Sequence, residues 1–150
     1  MSGTRRKARE LALQALYEFD SVGHDAEEVL THLLGNEALS EENADFTREL
    51  VRGVIQNKEN IDANIHGLAP AWPIVQIPVI DRNILRLAIF EILIDNKVPT
   101  KVAINEAVEL AKTFGSDNSS RFVNGVLGSV SNLVNREKAI RKGGKSGNGF

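Results

Sequence analysis

Apolar residues recur along this chain every three or four positions, which is the period of an amphipathic α-helix. No segment shows the sustained alternation of apolar and polar residues that predicts a β-strand. The pattern predicts helices over residues 5–20 and 25–34, and a helix, straight or kinked, from Ser40 to Ile65. With the helices described next, the chain is predicted to be all-α, with about seven helices and no sheet.

Three prolines interrupt this pattern in the middle of the chain. Pro70, Pro73 and Pro78 lie within nine residues, and a proline inside a helix removes a hydrogen bond and clashes with the preceding turn. Residues 67–78 are therefore predicted to connect two helical halves. Because this stretch also carries apolar side chains, we expect it to pack onto the protein, with Trp72 in the core or at the junction of the halves.

The second half begins with a segment that is apolar on almost every face. Between Ile84 and Ile94 only Arg86 and Glu91 are charged, which predicts a central helix packed on several sides. A further helix is predicted to begin near Thr100.

The last helix is predicted to follow a polar loop, residues 116–120. Gly125 and Gly128 within it would allow a neighbouring helix to approach closely. Its apolar stripe ends at Arg136, and the Gly-rich residues 136–150 are predicted to form a flexible basic tail.

Charge is distributed unevenly along the sequence. Residues 1–16 hold four basic residues and one acidic residue, and residues 136–150 hold five and one. The stretch between them holds 9 basic and 18 acidic residues, although the formal net charge of the whole chain is only −2. Basic ends and an acidic body suit a protein that meets a polyanion and a basic partner, while simple solvated ends are the alternative.

Residues suited to catalysis are sparse. The chain has no cysteine, which excludes thiol catalysis, zinc–cysteine sites and disulfides. His24, His32 and His66 lack the spacing of metal ligands, and no nucleotide-binding or hydrolase motif is present. We therefore predict a binding module without cofactor or metal, and not an enzyme. Neither a signal peptide nor an apolar run of the ~18–20 residues that span a bilayer is present, so the expected location is cytoplasmic.

Two segments combine groups that suit phosphate binding. Arg6, Arg9, Leu13 and Tyr17 fall within a strip of ~80° on the first helix, where cations and an aromatic ring could contact RNA. A core-edge tyrosine beside solvated arginines is the alternative. The loop 116–120 offers helix N-terminal N–H groups to an anion, or is a plain capping loop.

Three blocks of sequence carry a more specific signal. They are RRKARELALQALY at residues 5–17, DRNILRLAIFEI at residues 81–92, and PTKVAINEAVELAKTFG followed by RFVNGVL at residues 99–115 and 121–127. In this order, the blocks resemble the motifs of the NusB family of bacterial transcription antitermination factors. The resemblance implies an all-α fold of two small helical subdomains, about residues 1–70 and 71–135.

The resemblance also implies a function. The protein would recognise the boxA element of nascent RNA, notably in ribosomal RNA leaders. It would act with NusE, a ribosomal small-subunit protein, in an RNA polymerase elongation complex with other Nus factors. Monomer and homodimer are both compatible with the sequence.

Residue roles follow from the resemblance, position by position. Tyr17 and Asp81 match positions that face NusE, and the positions that match RNA contacts are Arg5, Arg6, Lys7, Arg9, Asn118, Arg121 and Phe122. Phe122 either stacks on a base or belongs to the core. The loop reads Ser-Asp-Asn-Ser-Ser, where relatives are commonly more acidic, and the basic tail matches no family motif.

Two other classes of function are compatible with parts of the sequence. NusB-like domains also precede ribosomal RNA methyltransferases, but that enzyme would need a nucleotide-binding sheet and catalytic cysteines that are absent from this sequence. A helical interaction module that never contacts RNA is the third class.

Overall fold

Helices account for almost all of the chain that the structure describes. The computed structural model describes the backbone of residues 2–147 and the side chains of residues 4–136. Within this range the chain forms no strand and seven α-helices: α1 (Ser2–Tyr17), α2 (Ala26–Gly35), α3 (Glu41–Gln56), α4 (Lys58–Leu68), α5 (Val79–Ile89), α6 (Thr100–Phe114) and α7 (Ser119–Gly147). The predicted all-α fold class is confirmed.

Polar side chains fix several helix ends. Ser40 caps α3 by accepting a hydrogen bond of 3.1 Å from the backbone N–H of Asn43, as its position before two glutamates predicts. The long helix expected from Ser40 to Ile65 is divided at Asn57. The carbonyl of Gly53 accepts both the backbone N–H of Asn57 at 3.1 Å and its side-chain amide at 2.8 Å, so Asn57 closes the last turn of α3.

Two helices continue into π-helical turns, after α1 at Glu18–Val22 and after α5 at Phe90–Asp95. Each turn ends at a residue with left-handed backbone geometry, Gly23 with φ 83° and Asn96 with φ 53°. Glycine and asparagine tolerate this region better than other residues do. The backbone therefore adopts this geometry at both positions at little cost.

All seven helices contribute to one continuous apolar core. Helix α5 is its centre and packs against α1, α3, α4, α6 and α7. Its apolar residues from Ile84 to Ile89 are 2 % exposed or less, which confirms the predicted central helix. The core takes buried residues from both sides of the connection near residue 70. The division into two subdomains stays a prediction.

A cluster of charges ties the turn after α1 to α4 and α5. Arg86 donates to Asp62 at 2.8 Å and to Asp20 at 2.9 Å, and Arg82 donates to Asp20 at 2.7 Å. Burial raises the pKa of Asp20, but hydrogen bonds from Arg82 and Asn83 and the charge of Arg86 outweigh it and lower the pKa to about 2. The carboxylate therefore stays ionised where it holds the three elements together.

Helix α7 differs from the expectation in two respects. Its backbone continues to Gly147, although the sequence predicts a flexible tail over residues 136–150. Helix-forming residues follow Arg136 as far as Lys142, whereas Gly143 and Gly144 do not favour a helix. The predicted close helix contact at Gly125 and Gly128 is also wrong. A Cβ atom at either position would have no neighbour within 4 Å.

Within the described residues, no helix combines the length and the apolar character that crossing a membrane requires. In the same part of the chain, no three side chains of the metal-binding types lie close enough together to hold a metal ion.

Candidate nucleic-acid and partner interfaces

Cationic side chains from three helices meet in one open groove of about 590 Å³. Arg6 of α1, Lys112 of α6 and Arg121 of α7 line it, with polar side chains of Asn105, Ser120 and Asn124 between them. The family resemblance assigns Arg6 and Arg121 to RNA contacts from two separate blocks, and the fold places the two residues together. Lys112 was missed, although it belongs to the third block, because only the packing of α6 against α7 shows which way it faces.

Carboxylates partly neutralise this groove. Arg6 donates two hydrogen bonds to Glu106, of 3.0 and 2.8 Å, and these hydrogen bonds lower the pKa of Glu106. Lys112 lies 3.4 Å from Glu109. Arg121 is exposed and forms no ion pair with another side chain in the described part of the chain. A phosphate could therefore bind Arg121 directly but would have to displace Glu106 from Arg6.

The remaining cations of α1 lie outside the groove. The Arg5 guanidinium lies 4.1 Å from the centre of the Phe46 ring and donates to Asn43 at 3.2 Å, so it packs against α3. Lys7 is 43 % exposed and lies 3.7 Å from Glu37. Both residues are half-buried, and their contact with RNA stays a prediction.

Arg9 does not lie on the surface, contrary to its predicted role as a phosphate contact. Its side chain is 5 % exposed and donates to the two carboxylate oxygens of Glu91 at 2.9 and 2.8 Å. Leu13, predicted on the same exposed strip, is 2 % exposed. The helical wheel gives the direction of these side chains correctly, but the chain around Glu91 covers that side of α1.

A network of hydrogen bonds organises the loop before α7. The Ser119 hydroxyl donates to Asp81 at 2.6 Å and accepts from the backbone N–H of Ser116 at 2.8 Å. Gly115 is required for this close approach, because a Cβ there would collide with the Ser119 side chain. Asp81, which the family resemblance assigns to the partner surface, is 4 % exposed. Its carboxylate fixes the loop that presents the exposed Asn118.

An apolar face adjoins this loop on the side of α1. Tyr17, Ile80 and Phe114 line both of two neighbouring cavities of about 400 and 340 Å³, and Asp81 lines the smaller one. Tyr17 is 39 % exposed and Phe114 is 43 % exposed. The two residues assigned to a partner thus lie at one face, and sequence reasoning missed Ile80 and Phe114. The signal that could have identified Phe114 was an aromatic residue placed directly before Gly115, which ends α6.

Phe122 is half-buried and contacts Trp72 edge to face, with ring centres 6.2 Å apart and planes at 75°. Trp72 is 52 % exposed, so of the two places predicted for it the core is wrong, and the junction of the halves stays a prediction. It lies in the connection between the halves and reaches α7 through this contact. Flanking prolines and a turn, in which the Trp72 N–H donates to the carbonyl of Ala69 at 3.0 Å, keep it at the surface.

The fold and these surfaces define an all-helical domain with a cationic groove beside an apolar face. The chain belongs to the NusB family, whose family model matches residues 6–132.

Named relatives agree with this assignment. The transcription antitermination protein NusB of Dehalococcoides mccartyi (strain ATCC BAA-2266 / KCTC 15142 / 195) is 58 % identical over 134 residues, which are 89 % of this chain and 94 % of the relative. The solved structure of T. maritima NusB is 34 % identical with a TM-score of 0.79, covering 85 % of this chain and 90 % of that one. A structure of antitermination factors NusB and NusE in complex with dsRNA has the same fold, with a TM-score of 0.80, 24 % identity, and coverage of 89 % and 99 %.

Proposed function

We propose that this protein is a transcription antitermination factor. It binds the boxA element of nascent transcripts, notably ribosomal RNA leaders, together with NusE, and joins the RNA polymerase antitermination complex. Its relative in D. mccartyi carries the name of such a factor. The observation that carries the proposal is the groove in which Arg6, Lys112 and Arg121 meet from three helices.

The groove supplies the RNA side of the proposal. Arg121 offers an exposed guanidinium to a phosphate, and Arg6 joins it when a phosphate replaces Glu106. Asn118 and Phe122 lie one helical turn apart at the start of α7, since the Phe122 N–H donates to the Asn118 carbonyl at 3.0 Å. An amide and a phenyl ring beside cations suit the edge and the face of an unpaired base. Arg5 and Lys7 add charge at the rim.

The apolar face supplies the partner side. Tyr17, Ile80 and Phe114 offer aromatic and aliphatic contact area of the kind that protein interfaces use as anchors. Asp81 acts mainly through Ser119, because its carboxylate is buried and already hydrogen-bonded. The acidic body of the chain suits a basic ribosomal protein.

This function is assembly, with no catalytic step and no cofactor, and it takes place in the cytoplasm where transcripts are made. Sequence is read from single-stranded RNA, and the protein partner stabilises the complex.

Reversal of one charge in the groove tests the RNA side. Arg121→Glu should weaken binding to a labelled boxA-like RNA. Because one phosphate contact is lost, the negative slope of log K against log salt concentration should become shallower by at least about 0.7. Arg52→Glu is the matched control, since Arg52 is an exposed arginine that pairs with Glu27 of α2 and does not line the groove. Equal affinities and salt slopes for the two variants would contradict the assignment of the groove to RNA.

A further inference from the structure

We infer that Trp72, braced by Phe122, is a stacking platform for an unpaired base of the bound RNA. The inference rests on the proposed function and deepens it, because it adds a contact from the connection before α5. No basic residue lies between Ala69 and Pro78, so the segment would contribute through an aromatic ring alone.

The exposure of Trp72 is the first observation. Its side chain is among the largest apolar surfaces of the described residues, and it is 52 % exposed. The Trp72 and Phe122 rings meet at 75°, so they do not stack face to face. The contact therefore covers at most one face of the indole and leaves area on which a base can stack.

The position of the pair is the second observation. Phe122 follows Arg121, which lines the cationic groove, and lies one turn of α7 after the exposed Asn118. The groove is lined on α7 by Ser120, Arg121 and Asn124. At about 100° per residue, Phe122 lies on the flank of Arg121 that faces away from Ser120 and Asn124, and Trp72 contacts it there. An RNA strand held by its phosphates at Arg121 can extend a base toward this flank.

The backbone around Trp72 is the third observation. Pro70 and Pro73 flank the residue, and its N–H closes a turn onto Ala69 at 3.0 Å. Proline fixes the φ angle of the chain, so the indole is presented by a segment with few accessible conformations. Presenting the ring in advance lowers the entropy lost on binding.

Trp72 is the one tryptophan of the sequence, so its intrinsic fluorescence reports this site alone. Titration of the protein with unlabelled boxA-like RNA should quench that fluorescence along the same binding curve that anisotropy of labelled RNA gives. RNAs with one abasic nucleotide, moved along the sequence, should include a position at which binding persists and the quenching is lost.

Substitution gives the second readout. Trp72→Ala should weaken RNA binding about ten-fold, the usual value of one stacked base, and leave the salt slope unchanged because no phosphate contact is lost. Trp72→Phe should keep most of the affinity. Val75→Ala is the control, since Val75 is 79 % exposed in the same segment; it should bind as the unmodified protein does. Thermal melts establish that each variant is folded.

The outcomes separate this inference from the proposed function. RNA binding by anisotropy without quenching, and with unchanged affinity of Trp72→Ala, would overturn the platform and leave the proposed function standing. Quenching by NusE alone, without an effect of RNA, would assign Trp72 to the protein partner and also overturn it. Absence of any RNA binding would overturn both.

Discussion

The ion pair between Arg9 and Glu91 gives a sharp test of how the basic residues of α1 divide between folding and binding. Both side chains are 5 % exposed or less, and two hydrogen bonds of 2.9 and 2.8 Å join them. Arg6 lies one turn earlier, and its pair with Glu106 is 42 % exposed on the arginine side. The two arginines are therefore expected to respond differently to the same substitution.

The expected loss for Arg9→Ala follows from the charge left behind. Removing one partner of a buried pair leaves an uncompensated carboxylate and typically costs about 3–5 kcal/mol. For a chain of this length that corresponds to a decrease of about 6–20 °C in the melting temperature. Arg6→Ala leaves a carboxylate that water can reach, so its melting temperature should decrease far less.

A double substitution removes both charges of the pair, so that neither is left buried without a partner. Arg9→Met combined with Glu91→Leu fills the site with apolar side chains, and such replacements of buried pairs are often neutral or stabilising. We expect the double variant to recover most of the stability that Arg9→Ala loses.

Circular dichroism during heating and in urea measures these changes, and anisotropy with RNA at several salt concentrations measures binding. Arg6→Ala should lower the affinity for RNA, and the folded Arg9→Met/Glu91→Leu variant should retain that affinity. If Arg9→Ala has the melting temperature of the unmodified protein, and lowers RNA affinity and the steepness of the salt dependence as Arg6→Ala does, then Arg9 binds RNA and its pair with Glu91 does not stabilise the fold.

Three further predictions concern charge and packing. The pKa of Asp20 is lowered from 3.8 to about 2, so its contribution to stability is present above about pH 4 and lost as pH falls toward 2. Solvent screening reduces this contribution to about 1 kcal/mol. In Asp20→Asn, the free energy of unfolding measured in urea should therefore decrease less between pH 4 and pH 2. In Gly53→Ala the added methyl group collides with the Phe90 ring and should lower the free energy of unfolding by about 1–3 kcal/mol. Gly125→Ala places its methyl group in open space within α7 and should raise the free energy of unfolding by up to about 1 kcal/mol. Equal urea midpoints for the two variants would contradict the packing at Gly53. Glu106→Gln removes the carboxylate that competes for Arg6 and should tighten RNA binding several-fold at low salt by anisotropy; weaker binding would show that Glu106 positions Arg6.

Helical periodicity and capping predicted much of this fold. Ser40 caps α3, and the segment from Ile84 was expected to be surrounded on several sides, as it is. Both signals are local, because they depend on residues within one or two turns. Continuation of α7 past Arg136 was missed because an apolar stripe reports burial, whereas the backbone of residues 136–142 needs only residues that favour a helix.

The candidate site could be predicted only in part. Periodicity shows which side of α1 carries Arg9 but not that Glu91, 82 positions later, neutralises it there. The exposure of Trp72 depends on how the connection packs against α7. Lys112 and Phe114 belong to surfaces that exist only once α6 lies between its neighbours. These features are tertiary, so they follow from packing and not from spacing along the chain.

The most direct test of the proposed function is anisotropy of a labelled boxA-like RNA and a scrambled control, each with and without NusE. The proposal predicts tighter binding to the boxA-like RNA, a further gain when NusE is present, and no such gain with the scrambled RNA. Equal and weak binding to both RNAs, unchanged by NusE, would contradict it and favour a helical interaction module that does not read RNA.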